Sequence, residues 1–239
     1  YGILSSRGFV PEMFDDHTLL HPWVADHPDA YRATWLLVGL TQLLLLPVPH
    51  AVARSVSTVG ATAGHGATPS PAGRLASWAA PFAYIAIGLG LAGAAVFYAT
   101  NNSLAFAYVD APDEAARQQV LVVSTAFADV AKEFRLFGQA ALAVWLVAVG
   151  WVMLTVGRVW SGRLVAAGGV LTGLVVGHKL WFPDSPLEEF WALGLALTYL
   201  LIGRHLLGVG LVATVAGQAS ADRAIGSVGG HESAPGPAA

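Results

Sequence analysis

Long uncharged apolar runs alternate along the chain with short stretches where charge collects. A helix needs about 20 apolar residues to cross a hydrocarbon layer roughly 30 Å thick. Residues 33–53 form the first such run, bracketed by Arg32 and Arg54. Pro47 and Pro49 lie inside it and predict a kink or an early end, because each removes a backbone donor. Residues 78–100 form the second run, with Asn101, Asn102 and Ser103 marking its far boundary. Pro112, Asp113 and Glu114 then predict a helix start, since proline suits the first turn and acids there complement the helix dipole. Over 112–135 the pattern is amphipathic. Val120, Val123, Phe127, Val130, Phe134 and Phe137 recur at steps of three or four, and Asp113, Arg117, Asp129, Lys132 and Glu133 supply the polar groups. This helix runs into a third apolar span, 136–157. One straight helix over both would be about 69 Å long. It is therefore expected either to project from the membrane or to bend, with Gly138 as the place for a bend. A fourth span covers 164–181, where Lys179 can reach the interface. Its Gly169, Gly173 and Gly177 fall four apart on one face, a pattern that lets two helices approach closely. A fifth, 187–207, begins near Pro186 and places Arg204 and His205 at, or a turn or two inside, its far end.

These elements predict an all-α fold, a polytopic transmembrane helix bundle with five helices visible. Residues 1–30 read as an acidic segment outside the membrane, 31–216 as the bundle and 217–239 as a disordered tail. Composition supports a membrane. Of 239 residues, 55% are hydrophobic and 11% charged, whereas soluble domains carry roughly a quarter charged residues. The charges also sort by side. Arg54, Arg74, Arg158, Arg163, Arg204 and Arg223 fall on one face of the predicted bundle, and every acid except Asp222 and Glu232 falls on the other. Lys and Arg in short loops mark the cytoplasmic side. The reading is therefore a plasma-membrane protein with residues 1–30 outside and the tail in the cytoplasm. The chain begins at Tyr1. An odd number of crossings from an outer N-terminus leads us to expect an upstream helix, giving six crossings with both ends inside.

Net charge is −3 and Lys and Arg are not clustered, which argues against a nucleic-acid partner. The chain has no Cys, so disulfides, thiolate metal sites and cysteine nucleophiles are excluded. The partners expected are the lipid bilayer and either another membrane protein or further copies of the chain.

Three segments share the layout of a known family. They are HPDAYRATWLLVGLTQLLLLPVPHAVARSV, DAPDEAARQQVLVVSTAFADVAKEFRLFGQAALAVWLVAVGWVML and GRVWSGRLVAAGGVLTGL, together about half the chain. In pattern and hydropathy the chain resembles the uncharacterised bacterial multi-pass membrane family called domain of unknown function 4386. The resemblance implies a six-helix protein and carries no catalytic residues with it.

Candidate chemistry lies at the outer side. Glu12, Asp15, Asp16, His17, His21 and His27 cluster there, and imidazole and carboxylate suit zinc-like ions. On a helix His17 and His21 share a face, so His17, His21 and Asp16 are the candidate metal ligands. The alternative is an acidic segment that only caps the bundle. A polar pocket between helices would draw on His178, Lys179, Asp129, Glu133 and Arg204. The short outer loop adds Asp184, Glu188 and Glu189, which would also serve as caps for the next helix. Glu188-Glu189 lacks the Arg four residues on that intramembrane CAAX-type proteases need, because Leu193 stands there. Serine-hydrolase, zincin and P-loop motifs are absent. His50, His178 and His205 lie near helix ends, where a bis-histidine haem is not expected. No catalytic residue and no cofactor is therefore assigned. The leading expectation is a non-enzymatic accessory or structural membrane protein. The alternatives are a small transporter or sensor with an outward-facing polar pocket, and a metal-dependent enzyme at the outer surface.

Overall fold

The computed structural model describes residues 2–62, 70–182 and 194–208. Among these residues the chain is all-α. Its elements are α1 (Gly2–Ser5), a short 3-10 turn (Pro11–Phe14), α2 (His17–Asp26), α3 (Pro28–Leu44), α4 (Pro47–Thr62), α5 (Pro71–Val109), α6 (Glu114–Thr155), α7 (Val159–Trp181) and α8 (Gly194–Gly208). Four stretches are long and apolar enough to cross a membrane: Pro28–Ser55, α5, α6 and α7; α8 is shorter. The chain is a membrane protein built as a transmembrane helix bundle. The Gly-, Ser- and Pro-rich stretch 54–74, expected from its composition to be a loop, is helical at both ends, since α4 runs to Thr62 and α5 starts at Pro71. Its middle, 63–69, the outer loop with Asp184, Pro186, Glu188 and Glu189, and the predicted tail at 217–239 lie outside the described residues.

The helix ends follow local chemistry. The Ser70 hydroxyl accepts from the Gly73 amide (3.1 Å) and Pro71 opens α5. The Asp113 carboxylate accepts from the Ala116 amide (2.8 Å) and starts α6, as the Pro112–Glu114 cluster predicts. At the other end of α6 the Arg158 amide donates to the Met153 carbonyl (2.9 Å) and the Gly157 amide to that of Leu154 (3.2 Å). Gly157 has φ +82°, the left-handed conformation that closes a helix in a Schellman turn. Only Arg158 follows before α7 begins, so α6 and α7 are antiparallel neighbours.

The first predicted span is two helices. Leu45 and Leu46 make 3-10-type bonds to Gln42 and Leu43 (both 3.1 Å), and Pro47 opens α4. The kink is the proline effect expected there. The expected bend at Gly138 does not occur: α6 runs unbroken for 42 residues, about 63 Å. Gly138 serves close packing instead, since a Cβ there would stand 3.2 Å from the Ala86 carbonyl oxygen of α5.

α6 is the central helix, flanked by α5 and α7, with α3 and α4 on α5. Its Trp145, Leu146, Val149 and Met153 form the main core with Val52, Ala79, Ala83, Val165 and Ile202. In lipid such a core is held by close packing more than by expulsion of water. The α6–α7 contact shows this. A Cβ on Gly162 would meet the Gly150 carbonyl oxygen and the Leu154 nitrogen at 2.8 Å, and one on Gly169 would meet the Val147 nitrogen at 2.7 Å. The predicted stripe of Gly169, Gly173 and Gly177 is thus only partly used. Gly173 has one distant neighbour and Gly177 none within 4 Å, while Gly150 and Gly162 complete the contact.

α5 and α6 are about 58 and 63 Å long, nearly twice a hydrocarbon layer. At their shared end α1, the 3-10 turn and α2 fold into a cap with its own core of Leu4, Phe9, Leu20, Trp23, Val24, Tyr31 and Ala105. The acidic segment 1–30 also has an interior: Leu4, Phe9, Leu20, Trp23 and Val24 are buried there, while Val10 and Leu19 stay exposed. Each large side chain enclosed in such a core contributes about 1.5–3 kcal/mol.

Candidate functional site

Where the cap meets the α5–α6 hairpin, polar side chains are enclosed. α2 begins at Asp16, whose carboxylate accepts from the Thr18 amide (2.9 Å) and hydroxyl (2.6 Å). The Thr18 hydroxyl, then its amide, hold the Asp16 carboxyl below its ordinary range. With the helix started there, His17 and His21 fall one turn apart on the face turned to the bundle, and both are buried.

His17 Nδ1 bonds the Ser124 hydroxyl of α6. That hydroxyl donates to Asn101 Oδ1 of α5 (3.2 Å), and Asn101 Nδ2 donates to the Phe97 carbonyl (3.0 Å). The Tyr31 hydroxyl of α3 donates to the same carbonyl (3.4 Å). A serine hydroxyl has one proton, so with it on Asn101 the His17 Nδ1 must be the donor to Ser124. The network therefore places a proton on His17 Nδ1. It connects the cap to three membrane-entering helices at one level. Burial, then the Lys132 ammonium, disfavour protonation of His17. Lys132 itself pairs with Asp15 at 3.6 Å on the exposed rim.

His21 lies deeper, at 0% exposure. Its ring packs between those of His17 and Tyr108, each with centroids 5.5 Å away. Among the described residues neither His21 nitrogen has a hydrogen-bond partner. Burial, then the neighbouring His17, push its pKa down to about 4. Around this pair the apolar wall is tight: Phe9 packs edge-on to Trp23 (4.9 Å) and to Phe14 (4.7 Å), and Trp23 Nε1 donates to the Arg7 carbonyl (3.0 Å).

The expected metal set is not assembled. His17 and His21 come together, but the Asp16 carboxylate is turned back onto Thr18. Among the described residues no group of three His, Asp or Glu side chains is gathered to hold a metal ion. The expected interhelix pocket is dispersed as well. Asp129 and Glu133 are exposed on α6, and Asp129 is close enough to His17 of the cap to favour its protonation. His178 and Lys179 sit at the end of α7, where His178 packs on Phe182 (4.9 Å). Arg204 is exposed on α8, close to Gly208, which approaches the Arg158 guanidinium at the start of α7. Thus His178 and Arg204 are near opposite ends of a helix about 34 Å long. Charges in a bundle are driven to its ends by the cost of burying them in hydrocarbon, and that separates these residues.

Ser124, Asn101, Tyr31 and Tyr108 are the site residues that sequence reasoning missed. Asn101 stood out only as an interface marker. Ser124 is the one signal with an address, a hydroxyl between the apolar residues Val123 and Phe127. Comparison with protein-family models, curated proteins and solved structures returns no match.

Proposed function

We propose that the chain is a non-catalytic accessory or structural component of the plasma membrane, with the cap outside and the C-terminal segment in the cytoplasm. The observation that carries this reading is the use of the polar cluster. Its hydroxyl and amide groups are directed at one another and fasten α2 to α5 and α6, with His21 sealed from solvent. A catalytic or transport site needs polar groups directed at a shared space. The orientation follows from the split of charge: every acid among the described residues lies at the cap end, with Arg7, Arg32, Arg117, Lys132, Arg135 and Lys179, whereas Arg54, Arg74, Arg158, Arg163 and Arg204 flank the remote helix ends with no acid beside them. The likeness to domain of unknown function 4386 agrees with a multi-pass protein.

The reading has two tests. Native purification in mild detergent, followed by mass spectrometry, is expected to recover a stoichiometric protein partner. A bound metal or small molecule with no partner would overturn the accessory role. The chain has no Cys, so orientation is open to single-cysteine labelling. Ser103→Cys, exposed at the cap end of α5, is expected to react in intact cells with an impermeant thiol reagent, and Ser161→Cys is not. The reverse pattern inverts the topology.

One observation favours a second reading, that of a sensor. The His17–His21 pair is buried, neutral and within a turn of the acids of the cap, so protonation would act on the same bonds that fasten the cap. The corresponding pH dependence is developed below.

A further inference from the structure

α6 carries a third face that its neighbours among the described residues cover only in part. Counting from Val120 in alternating steps of three and four, every position to Trp151 is apolar. That is the heptad pattern of a coiled-coil seam, here sustained over about 48 Å. α5 and α2 pack beside this seam on small residues, among them Ser124, Ala128 and Ala131, and α7 packs on Gly150. Its every-seventh row is open: Val123, Val130, Phe137, Val144 and Trp151 are 43%, 45%, 61%, 39% and 61% exposed, with Phe127 at 47% beside it, whereas Ala141 and Ala148 of the other row are buried in the bundle and Phe134 lies beside Gly93 of α5. In its lower half it sinks into an apolar groove of about 530 Å³, floored by Ala143, Val147 and Ala148 and rimmed by Trp78.

What covers the seam must cross the membrane boundary. Below Leu136 α6 is uncharged to its end, and lipid chains can lie against it. Above, the helix carries Arg117, Asp129, Lys132, Glu133 and Arg135, so this half stands outside the hydrocarbon. The seam continues there without a break through Val123, Phe127 and Val130. A lipid chain cannot follow it into water, whereas a helix of equal reach with its own apolar seam can. α6 has that reach and that seam. Copies inserted in one membrane share one orientation, so two α6 helices meet parallel and in register about an axis along the membrane normal. The groove then has the place and size for the partner's side chains at its lower end, knob into hole.

We propose that the protein self-associates through α6, forming a parallel pair along the seam from Val123 to Trp151. Single cysteines in the otherwise Cys-free chain test it in native membranes. Under mild oxidation most of the Val130→Cys protein, and likewise Val144→Cys, is expected to run as a dimer. Thr125→Cys, exposed on the opposite side of α6 at the same level, is expected to give only a trace. Equal yields from Val130→Cys and Thr125→Cys would overturn the seam. So would a native mass of one chain, or full labelling of Val130→Cys by an aqueous maleimide. Crosslinking of Val130→Cys to a different protein would overturn self-pairing. Val130→Glu, a change on the exposed face, is expected to abolish the dimer mass while the protein still purifies as a folded species; a dimer that survives it would also refute the proposal.

Discussion

Replacing Gly162 by Leu is expected to separate α7 from α6 and to lower stability by about 3 kcal/mol, the upper end of what overpacking a close contact costs. At Gly162 even a methyl group would stand 2.8 Å from the Gly150 carbonyl oxygen and the Leu154 nitrogen. These are backbone atoms of a continuous helix, so no rotamer change makes room and α7 itself must move. Moving it exposes Val165 and loosens the Trp145–Met153 core that α6, α7 and α8 share. Gly177→Leu is the matched control, because none of the described residues lies within 4 Å of its added Cβ. Thermal unfolding in detergent, followed by size-exclusion recovery, is the measurement. Gly162→Leu should lose monodisperse protein at a clearly lower temperature, and Gly177→Leu should match the parent. Equal behaviour of the two would mean that the α6–α7 contact is looser than the structure places it.

The same pair of glycines shows how far the sequence could be read. Charge-free runs of spanning length and their proline and arginine boundaries are local properties, so α3–α4, α5, α6 and α7 are legible as elements, although α4 runs nine residues beyond 53 and α5 starts seven before and ends nine after 78–100, straight through Asn101, Asn102 and Ser103. Pro47 and the Pro112–Asp113–Glu114 start act through their own backbone and are legible for the same reason. Which glycines touch is a relation between two helices. Spacing on α7 alone pointed to Gly169, Gly173 and Gly177, whereas the crossing point also depends on the Gly157 turn and on Gly150 of α6. Gly138 was open to two local readings, a bend or a close approach, and only the position of Ala86 on α5 decides between them.

Less of the candidate site was legible. His17 and His21 could be paired because four residues make one helical turn. Their partners come from positions 97–108 and 124, brought together by the hairpin that α5 and α6 form. Ser124 is neutral and small, and Asn101 sits in the polar run 100–103 that reads as a helix boundary, so neither points to the cap, yet both hold it through directed bonds. Residues 1–30 looked polar because charge dominates a composition count. Leu4, Phe9, Leu20, Trp23 and Val24 are few, but they share an interior once α2 forms.

Acidification is expected to release the cap, with His21 as the titrating group. Buried between His17 and Tyr108, His21 gains a proton in the folded protein only near pH 4, against an ordinary value of 6.5. Between those values the unfolded cap binds more protons than the folded one, so stability rises with pH. The stabilisation from a neutral His21 is full above about 6.5, is lost as pH falls, and is gone below about 4. The gap corresponds to roughly 3 kcal/mol, comparable with one or two side chains of the cap core. The nearby charges act on its neighbour His17. Asp15, Asp16 and Asp129 favour protonation of His17, and Lys132 opposes it. The exposed Lys132–Asp15 pair adds little of its own. Amide exchange of His17–Asp26, corrected for the intrinsic effect of pH, reads the release directly. Protection of α2 should fall between pH 7 and pH 4.5, while protection at the α6–α7 contact stays constant. His21→Leu removes the titration and two unpartnered nitrogens together, so it should strengthen protection at pH 7 and flatten the pH profile. A profile unchanged by His21→Leu would move the acid response to His17 and its bond to Ser124. Flat protection in the parent chain would leave the cap a fixed part of the bundle and remove the basis for the sensor reading.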